Sequence, residues 1–242
     1  MQSAVSARHL SFIETGRARP SREMLLHLAE RLEVSLRERN RLLLAAGFAP
    51  VFGERPLEAR EMAPVREALE RFLTAHDPYP ALVVDRHWNI VASNRGVAYI
   101  TRGVAAELLA PPRNMLRIAL HPEGLAPRTR NLAEWSGNLV AQLRREIQTT
   151  HDPDLESLYE EVLAYPGIST ALTPEHPPTP HDIMLVHKLR IDDTDLAFFG
   201  TFTTFGTARD LTLAELTIQA FYPANSETAI WLPTAVSETQ TD

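Results

Sequence analysis

The sequence predicts an α+β protein in two parts: a small all-helical N-terminal segment, then a larger body in which an antiparallel sheet carries its helices over one face. Three observations carry that expectation. Apolar residues recur at helical spacing between capping signals over the first 47 residues. The body opens with two short strand candidates and closes with three stretches rich in β-branched and aromatic residues. Between the two sets the pattern is helical. Residues 1–47 are therefore read as one partial domain, 48–62 as a linker and 63–235 as a second domain.

Bulk composition narrows the function classes. The 242 residues are 44% apolar and 23% charged, ordinary values for a globular chain that buries a core. No apolar run approaches a spanning helix and the N-terminus lacks a signal-peptide layout, so a cytoplasmic protein without a membrane association is expected. The absence of cysteine excludes disulfides, thiolate metal sites and cysteine nucleophiles. The net charge of −7 is unevenly spread: residues 1–53 carry +3 and the remaining 189 carry −10. A basic module on an acidic body is what a DNA-facing segment looks like, although an arginine excess on a solvated face has the same sign.

Three helices are expected in the first part. Ser6 caps a helix over Ala7–Glu14, with Gly16 beyond its end and a thin inward stripe of Leu10 and Ile13. The second starts after Pro20 with Ser21 as cap and places Met24, Leu25, Leu28, Ala29 and Leu32 at core-facing spacing. Ser35 and Glu38 form a capping box for the third, which runs through Leu42, Leu43 and Ala46 to Gly47. On the first helix, Arg8, Ser11, Phe12 and Thr15 share the face opposite the apolar stripe, with His9 at its border. Donors and small hydroxyls of this kind suit a major-groove edge, and Arg17 and Arg19 in the following loop suit a phosphate backbone.

The stretch VSARHLSFIETGRARPSREMLLHLAERLEV resembles the second half of an Xre-type, lambda-repressor-like helix-turn-helix domain. Val5, Ser6, Leu10, Ser11, Ile13, Glu14, Gly16, Pro20 and Ser21 match that pattern over about 45 residues. The resemblance implies that Ala7–Thr15 is the recognition helix and that Ser6, Arg8, His9, Ser11, Phe12, Arg17 and Arg19 face DNA. That family has five helices, and this chain begins inside the turn before the third. The incomplete unit leads to the expectation of weak, non-specific DNA binding.

In the body, Val65, Leu69, Phe72 and Leu73 predict a helix ending before HDPYP. ALVVD and WNIVAS then form a hairpin across Asp85-Arg86-His87, and Asn94 opens the next helix. The clearest helix of the middle carries Leu132, Trp135, Leu139, Leu143 and Ile147 along one face. IMLVHKLRI, DLAFFGTFTTFG and LAELTIQAFY read as the closing strands. Two strands, several helices and three strands is the order of a PAS-like fold, whose hollow between sheet and helices holds a small molecule.

ALVVDRHWNIVASN, NMLRIALHPEGLAPRTRNLAEWSGNLVAQLRREI and TTFGTARDLTLAELTIQAFYPANSETA resemble the sensor half of the MmyB-like transcription regulators. The resemblance implies a bacterial DNA-binding regulator acting as a homodimer, whose PAS-like domain accommodates a fatty acid. The residues expected around the ligand are Trp88, Ile90, Asn94, Trp135, Leu139, Leu143, Arg144, Leu185, His187, Phe198 and Ile218, with Arg144 meeting a carboxylate head group. A stripe such as Trp135–Leu139–Leu143 also serves as ordinary core, and Arg144 and Arg145 also suit a solvated surface. The alternative function is a sensor or protein-interaction module without specific DNA binding. No catalytic motif or metal-ligand spacing is present, and HDPDLE reads as a capped helix start; neither an enzyme nor a cofactor is expected.

Overall fold

The computed structural model describes residues 11, 13, 15, 17–168 and 184–238. The predicted helix over Ala7–Glu14 lies largely outside them, as do Ser6, Arg8, His9 and Phe12. Two compact units emerge: the described residues up to Ala63 together with Phe205–Glu215, and Pro64–Thr204 with the described residues from Leu216 on.

In the first unit, helix α1 (Arg22–Arg31) starts where Ser21 Oγ accepts from the Met24 amide at 3.2 Å. Helix α2 (Leu36–Ala45) is capped by Ser35, which accepts from Glu38 N at 3.3 Å, and ends ahead of Gly47 at φ +84°. Glu38 does not complete the expected capping box; its carboxylate pairs with Arg41 at 2.6 Å, one helical turn on. Ala29 and Leu43 are buried, but Leu32 caps α1 and is 73% exposed, so the predicted apolar stripe stops one turn early.

The stretch read as a linker is fastened to α2. The Asn40 amide donates to the Phe52 carbonyl at 2.8 Å, and its oxygen accepts from Val51 N and Phe52 N. Phe205–Glu215 then pairs with this strap: Leu211 N donates to Gly53 O at 2.8 Å, and Arg55 meets Asp210 at 2.8 Å. Arg37 of α2 bridges Glu215, at 2.6 Å, and Glu54.

The second unit takes helix α3 (Ala63–His76) from Pro64 on and contains a five-stranded sheet of order β2-β1-β5-β4-β3, antiparallel throughout. Its strands are β1 (Ala81–Val84), β2 (Ile90–Ser93), β3 (His187–Ile191), β4 (Thr194–Thr204) and β5 (Thr217–Pro223). Between β2 and β3 run α4 (Arg95–Ile100), α5 (Ala106–Leu109), α6 (Met115–Leu120), α7 (Leu132–Thr150) and α8 (Pro153–Leu163), and α9 (Ser226–Glu238) closes the described chain. The strand order and the helical middle agree with the expected α+β architecture.

Register assigns the faces. Leu82 lies opposite Gln219, His187 opposite Phe198 and Gly200 opposite Phe221, so these side chains and Leu189 share one face. Ile218 lies opposite Val83, one residue out of phase, and faces the other way. The first face joins α4, α6, α7 and α8 in one core that includes Trp88, Trp135, Leu139, Leu143, Leu158 and Phe221. Gly96 fixes how closely α4 approaches: a Cβ there would fall 2.7 Å from the backbone of Tyr79 and Pro80.

Candidate ligand-binding site

A cavity of about 50 Å³ lies between the inward face of the sheet and the helices. Leu82, Ile90, His187, Leu189, Phe198 and Phe221 form its floor; Val97 and Ile100 of α4, then Thr101, form one wall; Met115, Ile118 and Ala119 of α6, with Leu125 and Trp135, close it. Local capping sets these helices in place. Asn94 Oδ1 accepts from Val97 N at 3.3 Å and Ala81 N at 2.9 Å, so one side chain joins the start of α4 to β1. Asn114 caps α6 through Leu116 N and Arg117 N while its Nδ2 donates to His87 O at 2.8 Å. Asn131 pins the start of α7 to β3, donating to Val186 O and accepting from Lys188 N.

The polar groups of the cavity are few. Thr101 turns its hydroxyl back to the Val97 carbonyl at 2.8 Å. His187 stacks on Trp135 with ring centroids 4.3 Å apart and planes 5° from parallel. Its Nε2 lies 3.2 Å from Thr129 Oγ1, which donates to Leu125 O; the hydroxyl proton being spent there, Nε2–H is the donor. Burial pushes the imidazole pKa down to about 4, so the ring is neutral at pH 7. Trp135 Nε1 and both amide atoms of Gln219 are buried without a partner among the described residues.

Of the residues expected around a ligand, Ile90, Trp135, His187 and Phe198 line the cavity. Leu139 and Leu143 are fully buried in the surrounding core and do not line the cavity. Trp88 is buried too, but it sits in the turn before β2 at φ 65° instead of on the strand, with Nε1 donating to Glu146 at 2.7 Å. Burial raises the Glu146 pKa against the pull of the Trp88 and Gln142 hydrogen bonds. Leu185 precedes β3 and is half-buried against the core. Asn94 is consumed by capping, Ile218 faces away by register, and Arg144 is exposed in a groove beside Glu156 and Glu160. Those three are corrections, and their common cause is that the sequence shows phase along an element but not which neighbour that phase meets. The expected set lacks Leu82, Leu125, Leu189, Phe221 and the lining residues of α4 and α6, although MLRIAL is apolar nearly all round, the mark of a fully buried helix.

Elsewhere, His87, Asp152 and Asp154 bring ligand atoms within 4.8 Å of one another. Asp152 caps α8 by accepting from Asp154 N at 3.0 Å and pairs with Arg86 at 3.0 Å. Burial would raise its pKa, but that amide, His87 and Arg86 together hold it below the ordinary range. Ser11, Arg17 and Arg19 are exposed. No helix among the described residues is long and apolar enough to cross a membrane.

The profile of the MmyB-like transcription regulator ligand binding domain matches residues 65–234, which contain every residue of the cavity. No curated protein matches the chain significantly. The chain belongs to the family of the MmyB-like transcription regulator ligand binding domain.

Proposed function

We propose that this member of the MmyB-like family is a DNA-binding transcription regulator whose cavity senses an acyl-chain ligand of the fatty-acid kind. The carrying observation is the cavity itself: enclosed by aliphatic and aromatic side chains, with its one imidazole kept neutral and its one hydroxyl internally bonded. Such a wall favours methylenes at about 0.8 kcal/mol each and offers little to a polar metabolite.

At about 50 Å³ the cavity is far smaller than the roughly 300–1,000 Å³ of a drug-sized pocket, so a bound chain has to part its walls. Occupancy and shape are thereby linked. Phe198 and Phe221 lie on β4 and β5, and the chain between those strands, Phe205–Glu215, packs with α2 and its strap through Arg37–Glu215 and Arg55–Asp210. Displacement of the two strands is thus passed along the backbone to a segment held by the helix-turn-helix unit. In a homodimer this biases how two recognition helices meet an operator, with Ser11, Arg17 and Arg19 among the DNA-facing side chains.

The test is a thermal-shift series on the full chain with saturated acids of about eight to eighteen carbons, because a ligand bound only by the folded state raises the melting temperature. The shift should grow with chain length until the cavity is filled. A flat response across the series would remove the acyl reading.

A further inference from the structure

Arg128 ends the helical turn Ala126–Arg128, three residues after Leu125 and one before Thr129. Leu125 lines the cavity, and Thr129 holds the ring of His187. The Arg128 Nη1 donates to the Arg102 carbonyl at 2.8 Å, and Arg102 directly follows Thr101, which lines the opposite wall. The guanidinium therefore ties together two segments, distant in sequence, that each carry a lining residue of the cavity, Thr101 on one and Leu125 on the other. Its Nη2 is buried, and no acceptor among the described residues reaches it. Asp192 is the acid that acts on it, yet Asp192 pairs with Arg102 at 3.7 Å.

A guanidinium is a permanent cation with five donors, and a buried donor left unpaired is costly. A monoanion with oxygens at the cavity edge would relieve that cost, meeting Nη2 while Nη1 keeps the carbonyl of Arg102. Arg144, which the sequence offered for this role, is exposed beside Glu156 and Glu160, whose carboxylates repel an anion.

Resting on the acyl reading above, we propose that Arg128 receives the carboxylate of the ligand at the edge of the cavity. The chain then runs inward past Thr101 and Leu125, and the sensor discriminates free acids from their esters.

The experiment measures dissociation constants of dodecanoic acid and methyl dodecanoate, by titration calorimetry, on the full chain and its Arg128→Gln and Arg144→Gln variants. A charge-assisted contact predicts that wild type prefers the acid by about 10–100-fold. Arg128→Gln should bind the two equally, while Arg144→Gln keeps the preference. An acid preference that survives in Arg128→Gln overturns the assignment and leaves the acyl reading standing; binding of neither compound by wild type sinks both. Should Arg128→Gln fail to fold, dodecanoic acid labelled at its carboxyl carbon gives the answer on wild type by NMR. Held by Arg128, the bound carboxyl stays ionised below its free pKa; a bound carboxyl that titrates above it overturns the proposal.

Discussion

Replacing His187 by phenylalanine separates the titration of one ring from the rest of the acid response. The imidazole is 6% exposed, stacked on Trp135, and its pKa is pushed down to about 4 by burial. Phenylalanine keeps a flat ring against the indole, and Thr129 still donates to Leu125 O, so no hydroxyl is orphaned. Well above pH 6.5 the ring is neutral in both folded and unfolded chains and costs nothing. As pH falls, the unfolded chain takes up a proton near its ordinary pKa of about 6.5, whereas the folded chain resists until about 4. Stability is lost across that window because the unfolded state binds more protons. Linkage gives about 2 kcal/mol by pH 5 and about 3 kcal/mol by pH 4, relative to neutral pH. Urea denaturation followed by tryptophan fluorescence, at about pH 7.5 and about pH 5, should show wild type losing about 2 kcal/mol more than His187→Phe. Parallel losses in the two proteins would mean that the folded ring protonates as readily as the unfolded one. The neutral wall on which the apolar reading of the cavity depends would then be gone.

Gln219 is 1% exposed and neither amide atom finds a partner among the described residues, so Gln219→Met, close in volume, should stabilise the chain by about 1–3 kcal/mol in a urea titration. A loss of stability would show that the amide is hydrogen-bonded in solution. Arg37 joins Glu215 and Glu54, and Arg37→Gln should speed hydrogen exchange at the amide of Leu211, which donates to Gly53, while exchange at α7 is unchanged. Unaltered exchange at Leu211 would remove Arg37 as the clasp on Phe205–Glu215.

The sequence by itself determined what is written within one element or one turn. Ser21, Ser35 and Asn94 open the helices they were expected to open, and the capped start read in HDPDLE is made by Asp152, because capping joins atoms two or three residues apart. Alternation and β-branching located all five strands, and the helical stripe placed Trp135, Leu139 and Leu143 inside. Phase also put His187 and Phe198 on an inward face. What only the tertiary structure decided is which distant surfaces meet. Ile218 and Gln219 are both buried, and only the register with Leu82 and Val83 turns Gln219 toward the helices and Ile218 away. Trp88 finds Glu146 at a separation of 58 residues, and Arg128 meets the Arg102 carbonyl across 26. Arg144 and Arg128 look alike as text, each a cation near apolar residues. One faces water and the other holds a buried nitrogen with no partner among the described residues, because a guanidinium's surroundings are supplied by segments folded against it and not by its neighbours in the chain.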